Sequence, residues 1–242
     1  MVVFEIVLVF TLTLGMSGLR SLLSLIDSLL QQAALADQKV ALNVSQADNQ
    51  ILDVLRQLLS ATQLFAWGAL GLYLLWRAGL KLRDIGLDRS KPGGDIARAA
   101  GLAGLIGVPG LAFYLVARAV GANLTVVPTT LGDWWQYLTL TVSAFGNAWA
   151  EEVLVVGYLI TRLRQLGLRE NSSLLVSAML RGSYHLYQGF GGFVGNVIMG
   201  LVFGRVWQRT NRLWPLVLAH FFIDFVAFVG YAILRGRVAW LP

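Results

Sequence analysis

The stretch Trp134–Ile160, WWQYLTLTVSAFGNAWAEEVLVVGYLI, decides how the chain is read. It is mostly apolar over more than the roughly 20 residues a helix needs to cross a bilayer. Its opening Trp134-Trp135 pair suits a membrane–water interface, and Arg162 and Arg164 follow its far end. Yet Glu151 and Glu152 stand side by side within it. A charge at membrane depth is costly on any scale, so such residues are functional candidates by default.

The same pattern recurs on both sides. Met1 to about Leu30 is apolar, with no basic leader and no small-residue cleavage signal, and reads as an uncleaved first span. Ile51–Trp76 is a second span and Ile96–Val120 a third, whose many Gly and Ala residues suit close helix approach. Asn171-Ser172-Ser173 offers helix caps for a fifth span to about Leu186. The sixth ends at Arg205, Arg209 and Arg212, and the seventh runs from Trp214 to Leu234. Between them lie polar Ala34–Gln50, basic Arg77–Asp95 with its Pro92-Gly93-Gly94 breaker, Gly121–Asp133 and the tight turn at Gly189–Gly192. The expected fold is all-α: a polytopic transmembrane helix bundle of about seven spans, forming one integral membrane domain over residues 1–242.

Composition agrees. Of 242 residues, 57% are apolar and 13% charged, about half the charged share of soluble domains. A disordered chain is excluded and a soluble domain disfavoured. The chain has no cysteine, which removes a disulfide framework, a thiolate metal site and a cysteine nucleophile. The net charge of +6 does not call for nucleic acid, because the basic residues sit in short loops. Six fall between Arg77 and Arg98, three between Arg162 and Arg169, and three between Arg205 and Arg212. Only Lys39, Arg56, Arg118, Arg235 and Arg237 would face the other side. That bias places the N-terminus in the cytoplasm of a multi-pass cell-membrane protein.

Spans four to seven hold six ionisable residues at membrane depth: Glu151, Glu152, Arg181, His185, His220 and Asp224, including both histidines of the chain. Arg181 and His185 are four apart, as are His220 and Asp224, so each pair is expected on one helix face. At 1.5 Å per residue, Glu151 lies roughly 16 Å from Arg162, His220 roughly 12 Å from Arg212, and His185 roughly 20 Å into its span. Tilt absorbs such differences, and the six are expected to converge. Glu5, Arg20, Asp27 and Asp53 read as interfacial or snorkelling. Tyr184, Tyr187 and Trp207 read as packing residues. Asn147 and Asn196 fit either a supporting role or a helix–helix hydrogen bond.

Two chemistries use such a cluster: a proton relay in a transporter, and hydrolysis. The absence of repeat symmetry disfavours the first. For the second, a glutamate beside an imidazole holds and deprotonates a water, while a second imidazole and an aspartate hold an oxyanion or a metal. There is no His-Glu-x-x-His helix, no Gly-x-Ser-x-Gly elbow and no aspartate partner for Asp224 at similar depth.

These residues resemble the CPBP intramembrane protease family (CAAX protease and bacteriocin-processing), which includes the type II CAAX prenyl proteases. Glu151-Glu152 with Gly157 resembles its first motif, Glu-Glu-x-x-x-Arg. His185 resembles the histidine of the second, Phe-x-x-x-His. His220 and Asp224, after Leu213-Trp214-Pro215, resemble the third. The resemblance covers about residues 134–230. It implies an intramembrane endopeptidase acting on a membrane-associated peptide or protein, with Glu151 and His185 activating water, Glu152 in support, and His220 and Asp224 at the oxyanion. Zn²⁺ is possible in such a site, with His185, His220 and Glu151 as its ligands. Val156 stands where the motif-one arginine is expected, and Arg181 where the motif-two phenylalanine is. The guanidinium is therefore read as relocated to the fifth span, still paired with Glu151 or Glu152. The alternative is a non-catalytic membrane scaffold or immunity-type protein that keeps the polar pocket.

Overall fold

In a computed structural model, which describes residues 1–238, the chain forms a helical bundle. The first apolar segment is a pair, α1 (Val2–Leu12) and α2 (Leu14–Leu30), bent by 52° around Thr13. Next come α3 (Gln50–Arg77), α4 (Pro92–Ala119) and α5 (Gln136–Glu151). A π-helix, Glu152–Ile160, joins α5 to α6 (Thr161–Gln165). Then come α7 (Glu170–Ser183), α8 (Phe190–Thr210) and α9 (Trp214–Phe225). A second π stretch, Val226–Gly230, joins α9 to α10 (Tyr231–Leu234).

Among the described residues, four rods are long and apolar enough to cross a membrane: α3, α4, α8 and α9–α10. The bent α1–α2 pair makes a fifth if it counts as one span. Length and apolarity thus support four or five of the expected seven. The α5–α6 rod carries the acidic pair and is enclosed by protein: every side chain from Glu152 to Ile160 is at most 2% exposed. A helix buried in a bundle needs no continuous lipid-facing surface. The other, α7, has 14 residues, short of the roughly 20 a span requires.

The π stretch is the centre of the core, packed with Phe203, Leu213, Leu216 and Val217. Close approach occurs where glycine removes a side chain. A methyl on Gly68 would lie 2.3 Å from Trp149 Nε1, and one on Gly200 would lie 3.0 Å from Ala178 Cα. The third span does not behave as expected. Gly101, Gly104 and Gly110 are exposed, and methyls there would meet nothing within 4 Å.

Two segments read as plain loops contain strands. β1 (Lys39–Asn43) pairs in parallel with β2 (Thr125–Thr129), Val40 opposite Val126. The β-branched run Thr125-Val126-Val127 favours this geometry, and the Val126 N–H donates to Tyr114 Oη at 2.9 Å. The bundle is thus all-α apart from one short ribbon.

The ribbon lies at one end of the molecule with the turn after α7, joined by a bridge between Asn123 and Gly189, and Arg235 donates to the Thr129 carbonyl there. The basic loops gather at the other end. There the Gly86 carbonyl accepts from the Leu213 N–H. Gly86 has φ 77°, and a methyl on it would lie 2.2 Å from the Asn211 carbonyl oxygen, so only glycine fits. Arg212 closes the clamp. It donates to both Asp88 carboxylate oxygens at 2.8 Å and pairs with Asp95.

Some readings of exposed residues change. Trp134 is 83% exposed, as an interfacial residue would be, but Trp135 is 5% exposed. Asp53 is buried and accepts from Ser45 Oγ and the Gln46 N–H, both at 2.8 Å. Glu5 meets Arg162 Nη2 at 2.6 Å and accepts from Tyr158 Oη at 2.8 Å.

The clamp at Arg212 yields a stability prediction. Arg212→Met strands the buried Asp95 carboxylate, and a broken buried pair costs about 3–5 kcal/mol. At about 2–4 °C per kcal/mol, the detergent melting temperature should fall by roughly 6 °C or more. Asp88→Asn should cost less, because Asp88 is partly exposed. Hydrogen bonds from Ser90, with Arg212, hold its carboxyl well below the usual carboxylate range. Its contribution is therefore full at neutral pH and is lost only as strong acid titrates the folded state.

Candidate active site

The two glutamates stand on either side of a change in helix winding. Glu151 ends α5 and Glu152 begins the π stretch. Within the π stretch the Val155 carbonyl accepts from Ser177 Oγ on α7 at 2.7 Å. Short π segments of this kind are frequent at functional sites. The second π stretch begins two residues after Asp224.

Glu152 points inward. Its side chain and that of Arg181 are both 0% exposed, and Arg181 Nη2 lies 2.5 Å from Glu152 Oε1. The same oxygen lies 2.8 Å from His220 Nδ1. The guanidinium carbon also sits 5.8 Å from the centroid of the Phe203 ring, within cation–π range. The buried guanidinium thus has a carboxylate partner on the neighbouring span.

Glu151 points to the turn after α7. Tyr184 Oη donates to Glu151 Oε2 at 2.8 Å, and His185 Nε2 lies 3.9 Å from that oxygen. This is longer than a hydrogen bond and matches a separation that a water can bridge. His185 Nε2 is buried and has no hydrogen-bond partner among the described residues. Its Nδ1 lies 3.5 Å from Gln188 Nε2.

The structure brings all six predicted residues into two linked groups, with one correction of placement. α7 ends at Ser183, and His185 lies beyond it in a turn. Arg181 and His185 therefore do not share a helix face; Arg181 serves Glu152 and His185 faces Glu151. His220 and Asp224 do share a face of α9, with His220 Nε2 3.6 Å from Asp224 Oδ2. Asn147 on α5 also meets the Asp224 side chain.

Tyr184 was read as packing, yet it holds Glu151. Its signal was adjacency to His185, which carries no weight while both are drawn on one continuous helix. Ser177 gave no signal at all, since its partner is a backbone carbonyl of another helix.

Zinc does not fit the set His185, His220 and Glu151 as arranged. His220 has Nδ1 on Glu152, and its Nε2 faces Asp224. Among the described residues, no three His, Asp or Glu side chains converge as metal ligands.

Residues 133–226 match the family described as type II CAAX prenyl endopeptidase Rce1-like, a class of membrane endopeptidases. No curated protein and no solved structure matches the chain. The resemblance to the CPBP family is thereby shown, over nearly the stretch of about 134–230.

The pairing at Glu152 makes a double substitution informative. Arg181→Leu leaves a buried carboxylate unpaired and should cost about 3–5 kcal/mol, read as a lower melting temperature. Removing both charges with Arg181→Leu and Glu152→Leu should restore most of that loss, because an apolar pair replaces an ionic one. Activity should not return with stability, since His220 then lacks its carboxylate.

Proposed function

We propose that this protein is an intramembrane endopeptidase in which Glu151 is the general base. The observation that carries this is the Glu151–His185 pair: 3.9 Å apart, held by Tyr184, while Arg181 is engaged by Glu152 instead. A site whose two glutamates were both locked to the guanidinium would favour the scaffold reading. Here Glu151 is left to work.

The reaction is written with water and protein groups. A water between Glu151 and His185 gives a proton to Glu151 as its oxygen attacks the peptide carbonyl. The new C–O bond forms a tetrahedral oxyanion, and His220 Nε2, which lies 3.6 Å from Asp224 and so beyond hydrogen-bond reach, stabilises it as a donor. Glu152 orients His220 through Nδ1, and Asp224 aligns its other nitrogen. Collapse then breaks the C–N bond, and the proton on Glu151 passes to the leaving amine. The substrate is a membrane-associated peptide or protein.

Glu151→Gln keeps the shape and removes the base, so turnover should fall by a factor of about 10² to 10⁴. His185→Ala and His220→Ala should fall comparably, and Asp224→Ala less. The measurement is cleavage of membrane-associated peptides by purified protein in lipid. Cleavage undiminished in Glu151→Gln removes the base from this role. Because Glu152 holds His220 Nδ1 and no three ligands converge among the described residues, 1,10-phenanthroline should leave turnover unchanged. Loss with the chelator and return with Zn²⁺ would make the imidazoles ligands.

The bias of the basic loops supports a cytoplasmic location for one end, with the N-terminus, and the opposite face of the cell membrane for the β1–β2 end. Single cysteines test this in the cysteine-free chain. A membrane-impermeant maleimide added to intact cells should label Asp48→Cys and spare Ser90→Cys and Gln165→Cys. The reverse pattern inverts the orientation.

A further inference from the structure

The two faces of α2 call for different surroundings. Leu19, Leu23, Ile26 and Leu30 are exposed, between 44% and 81%, as suits lipid. Arg20, Ser24, Asp27 and Gln31 recur at intervals of three and four and so form a polar stripe. With Lys39 and Tyr187, that stripe lines a cleft of about 610 Å³, inside the range of roughly 300–1,000 Å³ typical of ligand sites.

Tyr187 connects this cleft to the chemistry. Its ring stacks with that of His185, centroids 6.3 Å apart and planes at 25°. α2 is also tied to the same turn, because Ser21 Oγ donates to the Tyr184 carbonyl at 2.9 Å. The cleft wall is thus continuous with the turn that presents His185 to Glu151.

The lining selects the guest. Arg20 and Lys39 are cations, Asp27 and Asp37 anions, and Ser24 and Gln31 both donate and accept. An acyl or prenyl chain gains nothing from such groups. A polypeptide backbone does: when a membrane segment unwinds to expose a peptide bond, its N–H and C=O groups need partners that lipid cannot supply.

We propose that this cleft receives an unwound, extended stretch of the polypeptide substrate and leads it past Tyr187 to Glu151 and His185. The proposal rests on the proteolytic reading above. α2 and β1 lie outside residues 133–226, so substrate selection belongs to a part of the chain that the family match does not cover.

The test uses thiols in the cysteine-free chain, reconstituted in bicelles. The probe is a pool of synthetic peptides, each an apolar membrane segment with polar flanks. Ser24→Cys faces the cleft, and Ile26→Cys on the lipid side is the control. In the Glu151→Gln background, saturating pool should slow maleimide labelling of Ser24→Cys about tenfold and leave Ile26→Cys unaffected. In the native background, a bulky maleimide on Ser24→Cys should lower kcat/KM about tenfold or more, with the melting temperature unchanged. Cleavage of the pool by the native chain with no protection at position 24 overturns the channel and leaves proteolysis standing. Protection at position 24 without cleavage keeps the channel and overturns proteolysis. Neither protection nor cleavage overturns both.

Discussion

A guanidinium with no exposed surface inside a membrane bundle must meet an anion, and Arg181 meets Glu152 at 2.5 Å. Much of the site follows from that pair. Glu152 Oε1 also receives His220 Nδ1 at 2.8 Å, so one carboxylate ties α7 and α9 to the central π-helix. The two donors on one oxygen fix which imidazole nitrogen is left to face Asp224. With Arg181 and His220 on Glu152, the second carboxylate stays available. Among the described residues Glu151 keeps only the Tyr184 hydroxyl as a hydrogen-bond partner, and the base role proposed for it needs that freedom.

Adjacent residues on a regular α-helix point about 100° apart, which alone does not give two glutamates two separate groups of partners. The winding changes at this point, with Glu151 closing an α segment and Glu152 opening a π one. The apolar run Val153-Leu154-Val155-Val156 can bear the wider turn because it is packed on all sides and because Ser177 satisfies the Val155 carbonyl. Backbone irregularity at membrane depth is tolerated where protein surrounds it.

Much of this was legible in the sequence, and the failures have physical causes. The apolar rods and the six charged residues stand out because both violate soluble composition in ways the bilayer explains. Arg181 announced its own partner, since an unpaired guanidinium is too costly to bury. The spans not supported by length and apolarity are α5–α6 and α7, where hydropathy cannot tell a lipid-facing helix from one enclosed by its neighbours. His185 was misplaced because nothing in Arg181-Gly182-Ser183-Tyr184-His185 marks the helix end. That end is set by contacts from outside α7: the Asn123–Gly189 bridge and the Gln188 carbonyl accepting the Leu124 N–H. The β1–β2 pair joins segments some 85 residues apart, and a pairing that distant leaves no local periodic trace.

The division between residues 133–226 and the rest is therefore not one between chemistry and scaffold. The matched segment holds the acids and imidazoles, but the turn that aims His185 is also held from the other side by α2. Besides the Ser21 hydrogen bond, Gly18 brings the two backbones so close that a methyl there would stand 2.6 Å from Ser183 Oγ. Glu5 of α1 anchors the same central rod one π segment away, through Arg162 and Tyr158. The N-terminal pair thus grips both the base-bearing rod and the histidine-bearing turn. The two helices on either side of the Thr13 bend thus touch the elements that carry Glu151 and His185.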